Sequence, residues 1–152
     1  MNHLDAAQEL RELVGDYEAR FLAIRDAEAG RVPGRDKWSR KQILGHLIDS
    51  AANNHQRFIR MQLTAELRFP GYEQDHWVRL NHYAKRPWKE LVTLWAAYNR
   101  HLAEVIANIT PGTLGNMWEK TEGSDDQRSD LEFVATDYVR HLRHHLEQIE
   151  RG

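Results

Sequence analysis

The length of 152 residues suits one compact domain, which we expect to span residues 1–152, and a composition of 41% hydrophobic and 29% charged residues excludes an intrinsically disordered chain. The 21 basic and 23 acidic residues give a net charge of -2, which argues against nucleic acid or an anionic membrane as a partner. Cysteine is absent, so disulfides and thiolate metal sites are excluded, and any metal ion must be held by nitrogen or oxygen atoms.

The start of the chain and its hydropathy predict a cytoplasmic protein that makes no contact with a membrane. Residues 1–5 do not begin the apolar stretch of a signal peptide. The sequence also contains no run of about eighteen apolar residues, which is the length that a membrane-spanning helix needs.

Two long helices are predicted in the first half of the chain. Apolar residues recur at helical spacing over residues 4–28 and indicate the first helix, which Pro33 separates from the second. Ser39 followed by Gln42 is a capping-box pattern. We therefore predict a second helix that begins there and continues to about residue 67.

The second half of the chain begins with a crossover, in which we interpret residues 73–83 as a short helix. Pro87 suits the first turn of a third long helix, where its missing N–H is tolerated. Residues 111–128 are polar and contain glycine, so we expect a long loop with a short extended piece at residues 116–120. A loop of this length suggests a lid or a partner surface.

The last long helix is predicted to begin at Ser129, which forms a second capping-box pattern with Glu132, and to run to the C-terminus. No segment alternates apolar and polar residues for long enough to predict a sheet. The predicted fold class is therefore all-α, a four-helix bundle with a long crossover that contains a short helix.

Nine histidines are many for this length, and two of them suggest a metal site. His141 and His145 are four residues apart in the last predicted helix, so their side chains lie on one face and can share a metal ion. They continue the buried row of Tyr138, and buried imidazoles need a polar partner or a cation. An isolated pair at this spacing is nevertheless common, and His144 is an alternative ligand.

A histidine of the second predicted helix strengthens this hypothesis. His46 lies at the edge of the apolar stripe, and polar residues follow it at helical intervals: Asp49, Ser50, Asn53 and Arg57. We interpret this row as one wall of a polar cavity. Three imidazoles from two facing helices leave coordination positions open, and they suit zinc, nickel, iron or copper. The remaining histidines are expected to be solvated: His3, His55, His76, His82 and His101.

Several segments resemble the DinB/YfiT-like superfamily. Residues 38–50, WSRKQILGHLIDS, are similar to its second-helix motif, and residues 138–149, YVRHLRHHLEQI, are similar to its C-terminal helix motif. The crossover at residues 70–83 and the segment 86–88 are also similar, so the resemblance covers nearly the whole chain. It implies a four-helix bundle that binds a divalent metal ion, zinc or nickel in many members.

The resemblance assigns the three metal ligands to His46, His141 and His145. Some members of the superfamily are transferases or isomerases that use bacillithiol, mycothiol or glutathione, and others are described as metal-dependent hydrolases. The resemblance therefore implies a metal-dependent enzyme with a small-molecule substrate, and a low-molecular-weight thiol as co-substrate if it transfers groups. The metal ion would act as a Lewis acid that activates water or holds the thiol as thiolate.

Three residues are candidate substrate contacts: Asn53, Arg57 and Trp77. The alternative function is a non-catalytic metal-binding or interaction protein of the same fold. In that case the long loop before the last helix and the exposed aromatic residues could serve a homodimer.

Three further residues are candidates for the layer behind the metal ligands. Asp49 and Ser50 could orient His46 through its second ring nitrogen, although a solvated helix edge explains them equally well. His144 lies beside His145 and is the third candidate for this layer.

Overall fold

Four long helices form a bundle in the computed structural model, which describes residues 1–121 and 127–152. In chain order, the α-helices of these ranges are α1 (His3–Leu22), α2 (Asp26–Ala29), α3 (Arg40–Arg60), α4 (Gln74–Leu80), α5 (Trp88–Ala107) and α6 (Leu131–Arg151). Short 3-10 turns cover Tyr83–Lys85 and Pro111–Thr113. The predicted four-helix bundle with a short helix in its crossover is confirmed. None of the helices in the described ranges is both long and apolar enough to span a membrane.

The helices α1 and α3 lie at opposite corners of the bundle, because each of them packs against both α5 and α6. Consecutive long helices would instead be neighbours in a simple up-and-down bundle. The largest side chains of the core are fully buried between the four helices: Phe21, Phe58, Trp88 and Trp95.

Side chains cap the first turns of α3 and α6. Ser39 and Gln42 form the predicted capping box at the start of α3. The second predicted capping box is wrong, because the cap of α6 is Asp130 rather than Ser129. The carboxylate of Asp130 accepts a hydrogen bond of 2.8 Å from the backbone N–H of Phe133.

The second long helix is shorter than predicted, because the chain leaves α3 at Arg60 and then forms a strand. This strand, β1 (Glu66–Phe69), pairs in parallel with β2 (Met117–Lys120), and β2 pairs antiparallel with β3 (Arg128–Asp130). The expectation that no sheet forms is therefore wrong, although β2 corresponds to the extended piece predicted in the long loop. Residues 122–126 of that predicted loop lie outside the described residues.

Two of the histidines that were expected to be solvated are at least partly buried. His3 is buried, and its Nδ1 atom lies 3.7 Å from a carboxylate oxygen of Glu132. His55 is half-buried, and its Nδ1 atom lies 2.9 Å from the hydroxyl oxygen of Tyr98. Three are exposed as expected: His76, His82 and His101.

Candidate metal centre

The antiparallel packing of α3 and α6 brings His46 opposite His141 and His145. The small sheet follows the end of α3 and leads directly into the start of α6, so the first turns of α3 lie level with the second half of α6. His46 lies in the second turn of α3, whereas His141 and His145 lie one turn apart on α6. Two helices that pack against each other therefore supply the three predicted ligands.

The three histidines each direct one ring nitrogen towards a common point, and these nitrogens lie within 4.8 Å of one another. The Nε2 atoms of His141 and His145 are 3.3 Å apart. The ring of His46 has its centroid 6.0 Å from that of His141 and 5.0 Å from that of His145. Two nitrogens bound to one tetrahedral ion at about 2.0–2.1 Å lie about 3.3 Å apart, so the pair on α6 fits a cation such as Zn²⁺.

Burial makes the imidazole of His46 a good ligand. Its side chain is 2% exposed, and its Nδ1 atom is buried with no hydrogen-bond partner among the described residues. Burial, followed by the charges of His145 and His141, lowers the pKa of His46 to about 4. Partial desolvation also lowers the pKa values of His141, which is exposed rather than buried as expected, and of the half-buried His145. All three rings are therefore neutral near pH 7, which is the form that binds a metal ion.

Gln148 determines which ring nitrogen of His145 carries the proton. Its Oε1 atom lies 3.1 Å from Nδ1 of His145, and an amide oxygen can only accept a hydrogen bond. The proton of the neutral ring is therefore on Nδ1, which leaves the Nε2 lone pair facing His141. His144 is exposed, and its ring lies 5.8 Å from that of His145 outside the cluster of three. Gln148, rather than His144, is the residue that contacts a ligand from behind.

Asp49 lies on the same helix as His46, but its carboxylate contacts the crossover and not the histidine ring. Its Oδ1 atom accepts hydrogen bonds of 2.6 Å from the hydroxyl group of Tyr83 and 3.1 Å from the side-chain amide of Asn81. Because Nδ1 of His46 has no hydrogen-bond partner, neither Asp49 nor Ser50 orients that ring in the predicted way. The carboxylate of Asp49 is therefore held by the crossover, through Tyr83 and Asn81.

A cavity of about 250 Å³ opens beside the cluster, between α3, α6 and the sheet. Most of its lining residues are polar or aromatic, among them Ser50, Asn54, Arg57, Trp118, Tyr138 and His141. His141 belongs both to the histidine cluster and to the cavity wall. A small molecule in the cavity therefore has direct access to the cluster.

A family model for the DinB superfamily matches residues 9–149, which include all three histidines of the cluster. The chain belongs to the DinB superfamily. A comparison with curated proteins found no match.

YfiT from Bacillus subtilis has a fold similar to that of this DinB superfamily protein. The two structures align with a TM-score of 0.85 at 18% sequence identity, and the alignment covers 97% of this chain and 83% of that chain. YfiT is described as a probable metal-dependent hydrolase with an unusual four-helix bundle topology. At this low sequence identity, the comparison establishes the shared fold.

Of the three candidate substrate contacts, the structure places Arg57 in the cavity wall. The side-chain amide of Asn53 instead donates a hydrogen bond of 2.9 Å to the backbone oxygen of Asp49. Trp77 is 38% exposed, and its ring lies 5.6 Å from that of Tyr72. Neither Asn53 nor Trp77 lines the cavity, although Trp77 supports Tyr72, which does.

Several cavity residues were missed by the sequence interpretation: Asn54 and Trp118, and also Tyr72, Lys120 and Asp137. Asn54 lies four residues after Ser50 and three before Arg57, whereas Asn53 lies three after and four before, so helical spacing admits either amide on this face and does not choose between them. Trp118 lies on β2, which reaches the cavity through pairing with distant segments, so no local pattern indicates its role.

Proposed function

We propose that this DinB superfamily protein is a metal-dependent enzyme that acts on a small molecule, with zinc or nickel bound by His46, His141 and His145. The observation that carries this proposal is that His141 is shared by the histidine cluster and the cavity wall. A divalent cation bound there supplies a Lewis acid, which can activate water for hydrolysis or hold a thiol as thiolate.

The ligand count supports a catalytic rather than a structural role. Across residues 1–121 and 127–152, the cluster consists of three histidines and includes no carboxylate. Three protein ligands leave a coordination position for water or substrate, whereas structural sites have four. The aromatic ring of Trp38, 5.4 Å from that of His46, and the hydrogen bond from His145 to Gln148 hold two of the ligands in place.

Hydrolysis is the reaction class that we favour, and the description of YfiT as a probable metal-dependent hydrolase supports it. Asp137 lines the cavity one turn before His141, and its charge opposes the effect of burial on the pKa of that histidine. We assign Asp137 the role of proton acceptor for a water molecule that attacks the substrate beside His141.

Metal analysis of the protein purified without added metal tests the site directly. We expect about one divalent ion per chain in the wild type and a large loss in His46→Ala and His141→Ala. His144→Ala is the matched control, because His144 is an exposed histidine next to His145 that lies outside the cluster. Unchanged metal content in both His46→Ala and His141→Ala would refute the proposed site.

Activity assays on the metal-loaded protein then distinguish the reaction classes. Turnover of an ester and amide panel, with kcat reduced and metal content unchanged in Asp137→Asn, supports hydrolysis. Transfer of bacillithiol, mycothiol or glutathione to an electrophilic dye would instead assign the same site to a transferase. A Co²⁺-loaded protein whose visible spectrum responds neither to thiols nor to small anions would indicate a closed, non-catalytic site.

A further inference from the structure

A buried arginine lies at the end of the cavity that is remote from the histidines. Arg57 is 7% exposed, and its Nε atom is buried with no hydrogen-bond partner among the described residues. None of the ion pairs formed within residues 1–121 and 127–152 includes Arg57. A buried charge without a counter-charge is costly, so this position is not explained by stability alone.

Neighbouring side chains hold the guanidinium group of Arg57 in a fixed position. It lies 4.2 Å from the centroid of the Trp118 ring, and Nε1 of Trp118 donates a hydrogen bond of 2.9 Å to the backbone oxygen of Phe69. On the other side, Nη1 of Arg57 donates to Oδ1 of Asn54 at 3.1 Å. The amide nitrogen of Asn54 in turn donates to the backbone oxygen of Ser50 at 2.9 Å. The planar guanidinium is therefore preorganised, and neither its Nε–H nor its Nη2 makes a hydrogen bond within the described residues.

We propose that Arg57 forms an anion subsite, which binds a carboxylate or phosphate group of the small molecule whose reacting group lies at the histidines. This inference rests on the proposed function and specifies its substrate class. A guanidinium group matches the two oxygens of a carboxylate or phosphate because it presents N–H donors in a planar fork.

The charge distribution along the cavity agrees with an anion at this end. Lys120 adds a second positive charge to the lining, whereas the acidic residue Asp137 lies near His141. Tyr72 also lines the cavity, and burial followed by the charge of Asp49 raises its pKa to about 12. Its hydroxyl group therefore remains protonated, and Ser50 is its side-chain hydrogen-bond partner in the cavity wall.

The helices also give the size of the ligand. The lining residues extend from Ser50 to Arg57 on α3, and over residues 133–141 on α6. Seven residues of α-helix correspond to about 10 Å along the axis. The substrate class is therefore a small molecule whose anionic group and reacting group lie at opposite ends of this span.

Binding of acetate and of inorganic phosphate, measured by NMR at constant ionic strength, tests the subsite. The titrations use the metal-loaded protein and the chelator-treated protein, because both anions can also bind a metal ion. We expect the Nε–H signal of Arg57 and the indole N–H signal of Trp118 to shift in both forms. Comparison of the two anions identifies whether the subsite prefers a carboxylate or a phosphate.

Variants on α3 provide the matched comparison. Arg57→Gln should weaken the preferred anion at least tenfold, because it removes the charge-assisted hydrogen bonds. Arg60→Gln is the control, since Arg60 is an exposed arginine one turn later that lies over the ring of Phe69 instead. Equal affinity in the wild type and Arg57→Gln would overturn the proposal. Should Arg57→Gln fail to fold, unshifted Arg57 and Trp118 signals in the wild type would overturn it instead.

Metal content measured in the same samples separates this proposal from the proposed function. Loss of metal in His46→Ala, together with no anion binding at Arg57 in the wild type, would refute the subsite and leave the metal centre standing. Retention of metal in that variant would refute the metal centre, whereas the wild-type anion titration would still report on Arg57.

Discussion

The hydroxyl group of Tyr83 donates a hydrogen bond of 2.6 Å to the carboxylate of Asp49, and this contact joins the crossover to α3 one turn beyond His46. The side-chain amide of Asn81 donates to the same oxygen atom at 3.1 Å. The ring of Tyr83 is buried against Gly45, the residue that precedes His46. The crossover therefore packs against the turn of α3 that carries His46.

Gly45 is required because Tyr83 occupies the space where a side chain would be. A Cβ atom at residue 45 would lie 2.1 Å from Cδ2 and 2.8 Å from Cβ of Tyr83, so the crossover backbone would have to move. We expect Gly45→Ala to lower the free energy of unfolding by about 1–3 kcal/mol, as overpacked core substitutions do. Urea unfolding followed by circular dichroism measures this change.

Gly15→Ala is the matched control for Gly45→Ala, because Gly15 also lies inside a long helix but has no atom within 4 Å of the added Cβ. It should leave stability unchanged or raise it by about 0.5–1 kcal/mol, since alanine favours the helix over glycine. Equal effects of the two substitutions would contradict the assigned role of Tyr83.

Asp49 should make stability depend on pH. Burial raises its pKa from 3.8 to about 6, although the hydrogen bond from Tyr83 acts in the opposite direction. Between about pH 4 and pH 6 the folded protein therefore binds more protons at this residue than the unfolded chain, and its contribution to stability falls as pH rises. The free energy of unfolding of Asp49→Asn, relative to wild type, should increase by about 2–3 kcal/mol from pH 4 to pH 7.

The measurement for Asp49→Asn is urea unfolding at closely spaced pH values in the presence of a chelator, so that metal binding does not contribute. Asp16→Asn, which removes an exposed carboxylate from α1, controls for the change in net charge. A relative stability of Asp49→Asn that stays constant across this range would contradict the raised pKa of Asp49.

His46 should make the stability of the metal-free protein rise with pH, which is opposite to the effect of Asp49. Its pKa is lowered from 6.5 to about 4, so between these values the unfolded chain binds more protons and stability rises with pH. His46→Gln loses this rise, and its stability relative to wild type should decrease by about 3 kcal/mol from pH 4 to pH 7. Chelator-treated His46→Gln and His144→Gln, compared by urea unfolding, provide the test. A relative stability of His46→Gln that is the same at both pH values would be inconsistent with a buried neutral ring.

The residues of the histidine cluster could be predicted because helical geometry is local. A spacing of four residues places His141 and His145 on one face whatever surrounds the helix. His46 could be selected because its position beside the apolar stripe shows which face of its helix is turned inwards. The DinB/YfiT-like resemblance excluded His144, and that choice agrees with the geometry of the cluster.

Neither the contacts of Asp49 nor the existence of the sheet could be predicted in this way, because both depend on segments distant in the chain. Helical spacing placed Asp49 beside the core face and left a solvated helix edge equally possible, and it could not reveal Tyr83, which lies in the crossover and hydrogen-bonds the carboxylate. The strand β1 has four residues, and its parallel partner β2 follows only after α5. A strand this short gives little alternation, so its existence depends on the pairing itself.

The hydrogen bond between His145 and Gln148 leads to the last prediction. Gln148→Ala removes the acceptor that keeps the proton on Nδ1 of His145 and leaves Nε2 free for the metal ion. Metal affinity should fall about 10- to 100-fold, as is typical when a residue that orients a metal ligand is lost. Competition with a Zn²⁺ indicator measures this affinity.

Glu147→Ala is the control, since Glu147 is the exposed neighbour on the same turn of α6. A loss of affinity in Glu147→Ala as large as that in Gln148→Ala would indicate a general electrostatic effect, and unchanged affinity in Gln148→Ala would show that the ring of His145 is held by packing alone.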